Sequence, residues 1–141
     1  DRIRLALDAV TGIGLPVWVG FSARVSNDGR ILSFAPEEDI TFTEIVRILD
    51  GFEVAAAGVM HTPANIIGDA DDILAMSFAG HRMAYPDSGY FRMPHWQFEN
   101  VIAPADLVDL AAQWIENGVR IVGGCCGLSP DHNAALSQLK R

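Results

Sequence analysis

Short, continuously apolar runs alternate with stretches of helical periodicity along the whole chain, and few folds accept that pattern. Residues 15–22, LPVWVGFS, are β-branched, aromatic and bounded by glycines, so they read as a buried strand with Pro16 at its first position. Residues 52–59, 81–85 and 119–122 repeat the theme. Helical spacing lies between them. Ile3, Ala6, Leu7 and Val10 share one face over residues 1–12, and Ile45, Val46, Ile48 and Leu49 share one over residues 43–51. A short helix is expected within residues 63–76. Leu107, Leu110, Ala111, Trp114 and Ile115 form a stripe between Pro104, a good first helical residue, and Gly118, a good stop. A last helix starts at Pro130. Strand–helix alternation with fully apolar strands predicts an α/β fold of parallel βα units, each strand covered on both faces. The 141 residues suffice for one domain, residues 1–141.

The balance of charge narrows the partners. A net charge of −8 with scattered Arg and Lys gives no electrostatic footprint for nucleic acid or an anionic membrane surface. No apolar run approaches the roughly 20 residues of a spanning helix, and no basic-then-apolar leader opens the chain. The expectation is a cytoplasmic protein in a reducing compartment.

Several polar or aromatic stretches carry bland readings. Asn27-Asp-Gly29 is turn chemistry inside a polar loop that runs to about Ile40 and holds no nucleophile, base or phosphate cradle. The acidic run Asp69 to Asp72 lacks the spacing of a calcium loop and reads as a solvated face. Tyr90, Phe91, Trp96 and Phe98 read as the edge of a core rather than a lid. His132 reads as solvated or capping, and His81 and His95 have no pattern around them.

The chemistry points to Val122-Gly-Gly-Cys-Cys-Gly-Leu-Ser-Pro130, which holds both cysteines of the chain. Adjacent cysteines close only a strained ring, whereas two thiolates on one glycine-rich turn can share one soft metal ion. A buried cysteine also serves simply to fill space. Composition alone leaves both readings open.

Residues 119–139, VRIVGGCCGLSPDHNAALSQL, resemble the C-terminal signature of the homocysteine S-methyltransferase family, in which Gly-Gly-Cys-Cys-Gly supplies two zinc ligands. Tyr85-Pro-Asp-Ser-Gly89 is similar to the family's Tyr-Pro-Asn-Ser-Gly segment. Gly58-Val-Met-His-Thr-Pro63 falls where the family carries Gly-Val-Asn-Cys followed by Thr and Pro, so His61 takes the place of the third cysteine and Met60 that of Asn. The resemblance implies a (βα)8 TIM barrel of which this chain supplies the second half, strands five to eight. Half a barrel leaves an apolar interior uncovered. A missing N-terminal half, a homo-oligomer or partner that completes the barrel, or an open sheet packed in another way would each resolve this, and the start at Asp1 without Met points to a fragment.

The implied metal ligands are His61, Cys125 and Cys126, and the implied cofactor is Zn. In the family reaction zinc lowers the pKa of a homocysteine-like thiol and holds the thiolate for attack on a methyl donor, whose identity no segment here reveals. Tyr85 and Ser88 could line the pocket, although Pro-Asp-Ser-Gly is first a turn. A neutral imidazole in place of a thiolate leaves the protein donors with one negative charge fewer. The expectation is surviving zinc binding with methyl transfer slowed or the substrate changed. The alternative is an impaired or truncated family member that acts as a metal-binding or assembly half-barrel. Metal-assisted hydrolysis is a third idea, with no evident base.

Overall fold

The computed structural model describes residues 2–140. Four parallel strands, β1 (Trp18–Phe21), β4 (Ala56–Pro63), β5 (His81–Asp87) and β8 (Val119–Val122), form a sheet in the order β1-β4-β5-β8. Each is hydrogen-bonded to the next of the four in chain order. Helix α1 (Arg2–Val10) precedes β1. Helices α2 (Phe42–Val46), α3 (Ala64–Ala75) and α4 (Pro104–Glu116) make the three crossovers, and α5 (Pro130–Leu136) follows β8. The fold is therefore the parallel α/β arrangement that the alternation predicts.

One face of the sheet carries the core. Val19, Phe21, Ala57, Val59, Ala84 and Val119 are buried in one cluster with Phe42, Val46, Ile67, Leu74, Leu107, Ala111 and Trp114. The alternate strand positions are unevenly covered: Ala56 and Met83 are buried, whereas Trp18 is 53% and Met60 38% exposed. Coverage of both faces, expected from continuous apolarity, is thus only partly realised among the described residues.

The polar segments hold more structure than periodicity reveals. β2 (Ala23–Val25) and β3 (Ile31–Ser33) pair antiparallel around the Asn27-Asp-Gly29 turn, and β6 (Tyr90–Arg92) pairs with β7 (His95–Gln97). Three-residue strands are too short to show a period. The aromatic residues of the second hairpin are not core edge: Tyr90, Phe91 and Phe98 are about half exposed. β4 also begins and ends later than expected, because its register with β5 runs on to the pair Pro63 and Asp87.

Asp71 corrects the reading of the acidic run as solvated. It lies about one turn from both Ile67 and Leu74 on the buried face of α3 and is 2% exposed. Its partner is Arg82 of β5, at 2.5 Å. Arg82 also donates to the carbonyl of Asn117, which caps the C-terminal end of α4. Gly118, at φ 104°, passes so close that a Cβ there would sit 2.5 Å from the guanidinium. One side chain thus ties a strand to two helices.

His132 is buried at 6% and does cap. Its Nδ1 accepts from the Ser129 N–H at 3.0 Å, so Nε2 carries the proton and donates to the Ile102 carbonyl at 2.7 Å. Removing it strips the cap of α5 and leaves a carbonyl without its donor. His132→Ala is expected to cost about 1–3 kcal/mol of stability, read from urea unfolding.

Candidate metal centre

The C-terminal ends of the parallel strands gather His61, Asp87, Cys125 and Cys126. β4 and β5 pair regularly to Met60 and Tyr85, and the register then shifts before Pro63. His61 sits in that irregularity at φ 48°. A left-handed residue in a bulge turns its side chain away from the regular alternation, and histidine is among the few non-glycine residues enriched there. Thr62 fixes the bulge: its hydroxyl donates to the Met60 carbonyl and accepts from the Ala23 N–H, both at 2.9 Å.

The cysteines follow β8 on a turn bound to the end of β5. The Gly123 N–H donates to Ala84 at 3.1 Å, the Cys125 N–H to Pro86 at 2.9 Å, and the Ser88 N–H to the Cys126 carbonyl at 2.9 Å. Gly127 closes the turn at φ 81°, where a Cβ would lie 2.5 Å from the Ser88 carbonyl oxygen. Glycine alone fits both demands.

These constraints bring three donor atoms together. The Sγ atoms of Cys125 and Cys126 lie 3.8 Å apart, and each is 3.9 Å from His61 Nδ1. A tetrahedral zinc ion, with bonds of about 2.3 Å to sulfur and about 2.0–2.1 Å to nitrogen, would separate its sulfurs by roughly 3.8 Å and sulfur from nitrogen by roughly 3.6 Å. The donors therefore fit zinc with little adjustment. The spacing also excludes a disulfide in this state, and both thiols are free.

Electrostatics inside the cluster favour a cation. Burial pushes the Cys126 thiol up, and the hydrogen bond with Cys125 and the charges of Cys125 and Asp87 push it further. Burial likewise raises the Asp87 carboxyl, against the opposing pull of His61. A divalent ion reverses this balance by drawing the protons off both donor types.

Aromatic rings wall the imidazole. Phe34, just after β3, stands 5.4 Å from the His61 ring centroid, and Trp96 of β7 stands 5.2 Å away, edge-on. The two hairpins thus place aromatic walls beside the cluster, which the reading of Tyr90 to Phe98 as core edge missed. Tyr85 lies under the cysteine turn, its ring closing off the space beside Gly123. Ser88 accepts the Ile102 N–H at 2.8 Å and so anchors the segment before α4. His81 and His95 lie outside the cluster.

Comparisons with known proteins identify the family. The family model described as homocysteine S-methyltransferase matches residues 1–139. The chain is 29% identical over 119 residues to a selenocysteine methyltransferase of Astragalus bisulcatus, covering 82% of this chain and 33% of that protein. It is 28% identical over 131 residues to homocysteine S-methyltransferase 1 of Zea mays, covering 90% of this chain and 38% of that one. The crystal structure of the homocysteine methyltransferase MmuM from Escherichia coli, in its oxidized form, matches 99% of this chain and 41% of its own. That match has a TM-score of 0.71 at 23% identity, which is likeness of fold. The chain thus spans well under half the length of each of these relatives. No helix among the described residues is long and apolar enough to cross a membrane. With the matched model running over almost the whole sequence, the chain belongs to the homocysteine S-methyltransferase family.

Proposed function

We propose that this chain is the metal-holding portion of a thiol S-methyltransferase, with His61, Cys125 and Cys126 as the zinc ligands. The observation that carries the reading is the convergence of three donor atoms, all within 4.8 Å of one another, from β4 and from the turn after β8. When bound, zinc supplies the positive charge that lowers the pKa of a thiol such as homocysteine and presents its sulfur to a methyl donor. His61 and the two cysteines would hold the ion through three protein donors and leave room for the acceptor's sulfur. Phe34 and Trp96 shield the imidazole, and the hydrogen bonds from β5 hold the cysteine turn in place. Free thiols in such a site suit a reducing compartment, so we place the protein in the cytoplasm.

Coverage of a third of the relatives' length and the histidine in place of a cysteine favour a second reading. In it the chain keeps the metal but transfers methyl groups only when its barrel is completed by further sequence or by another copy. The two readings separate in one assay. The zinc-loaded chain is mixed with homocysteine and S-methylmethionine, and methionine is followed by mass spectrometry. Product that disappears in Cys125→Ser is expected from the first reading. Tight zinc binding without product would replace it with the second.

A further inference from the structure

We propose that Asp87 belongs to the metal centre, its carboxylate supplying a third negative charge beside the two thiolates and the neutral imidazole. This rests on the metal-centre reading above and extends it to a residue that the three-donor set leaves out.

Position is the first argument. Asp87 is 4% exposed, its Oδ1 has no hydrogen-bond partner among the described residues, and its Oδ2 lies 3.6 Å from His61 Nδ1. A carboxylate taken out of water with so little compensation is costly, and such a group calls for an explanation, of which a bound ion is one. Its backbone neighbours on both sides are joined to the cysteines. Pro86 accepts from the Cys125 N–H, and the Ser88 N–H donates to the Cys126 carbonyl. The carboxylate is therefore built into the same junction as the thiols, facing the same imidazole nitrogen that they face.

Charge is the second. Two thiolates and a neutral imidazole balance a +2 ion and leave nothing over, whereas the carboxylate brings the surrounding negative groups to three. The segments carrying these residues resemble family segments with cysteine at position 61 and asparagine at position 87. Three thiolates with an amide, or two thiolates with an imidazole and a carboxylate, add up to the same charge. The two departures cancel, and the residues concerned stand side by side. A compensating pair of this kind keeps an incoming thiolate electron-rich although one cysteine is gone. It also moves one negative charge from a soft sulfur to a hard carboxylate oxygen.

The test is a zinc competition titration against a chromophoric chelator, run on wild type, Asp87→Asn, His61→Cys and the double variant. Asp87→Asn is expected to weaken zinc binding at least about 10-fold beside His61. Combined with His61→Cys, the same change is expected to leave affinity unchanged or to raise it, because three thiolates already supply the charge. Equal weakening in both backgrounds would reduce Asp87 to a structural role, and no weakening beside His61 would remove it from the centre. Either result overturns the proposal and leaves the metal centre standing. A wild type that binds zinc no better than Cys125→Ser overturns the metal-centre reading, and this proposal with it. Should His61→Cys fail to fold, the visible spectrum of the cobalt(II) form decides. Asp87→Asn is expected to shift its ligand-field bands, and an unchanged spectrum overturns the proposal.

Discussion

Cys126→Ser is expected to weaken zinc binding by more than about 100-fold, the upper end of what losing a mere outer-shell partner costs. The thiol sits 3.8 Å from the Cys125 sulfur and 3.9 Å from His61 Nδ1, so its loss leaves two donors where three converge. A serine hydroxyl is harder and holds its proton at neutral pH, so it does not replace the thiolate. Stability of the metal-free chain should change little. Cys126 is only partly buried, its carbonyl's bond from the Ser88 N–H does not use the sulfur, and oxygen is smaller than sulfur. The expected pattern is an unaltered unfolding midpoint in chelator, together with the loss of the upward shift that zinc confers on wild type. Equal zinc affinity in the variant would remove Cys126 from the site.

Arg82→Leu is expected to cost about 3–5 kcal/mol, the range for removing one member of a buried ion pair. The side chains of Arg82 and Asp71 are 11% and 3% exposed, and the same guanidinium also serves the C-terminal carbonyl of α4. A loss of this size is at least about a fifth of the roughly 5–15 kcal/mol that holds a domain folded. The effect should depend on pH, and its sign follows from Asp71. Burial raises this carboxyl to about 6 from its ordinary 3.8, with Arg82 opposing the rise. Because the folded state holds the proton more tightly than the unfolded one, this group's contribution is fully present below about 3.8 and is lost as pH rises through about 6. In the variant at pH 8 a charged carboxylate is left buried without its cation, whereas at pH 5 the group is protonated and only hydrogen bonds are missing. The destabilisation measured by urea unfolding should therefore be larger at pH 8 than at pH 5. An equal loss at both would mean that Asp71 is not charged in the folded protein at neutral pH.

The sheet was readable because β1 lies in an apolar run and β8, between Gly118 and Gly123, is apolar but for Arg120, and α4 because its stripe begins at proline and stops at glycine. The cysteines of the proposed centre drew attention as a vicinal pair on a glycine-rich turn, which alone left a space-filling role open, and His61 needed the family pattern. Asp71 was legible but misread: spacing from Ile67 to Asp71 to Leu74 puts it on the buried face, yet a run of acids draws attention to solvent. The hairpins were not legible, since three-residue strands carry no period, and with them went the aromatic walls of Phe34 and Trp96. Asp87 left one trace, an acid where the resemblance carries an amide. Its meaning depends on a neighbour 26 positions earlier in the chain, which only the fold brings into contact.

The hydrogen bonds that fasten the cysteine turn to the end of β5 make the turn a continuation of the sheet rather than a loop laid upon it. On the proposed reading, a metal bound at the sulfurs would join the amides of Ser88 and Cys125 to one cooperative unit with the ion. Metal occupancy and local opening would then share one equilibrium: zinc is expected to slow solvent exchange at those two amides, and fraying the end of β5 is expected to loosen the grip on the ion.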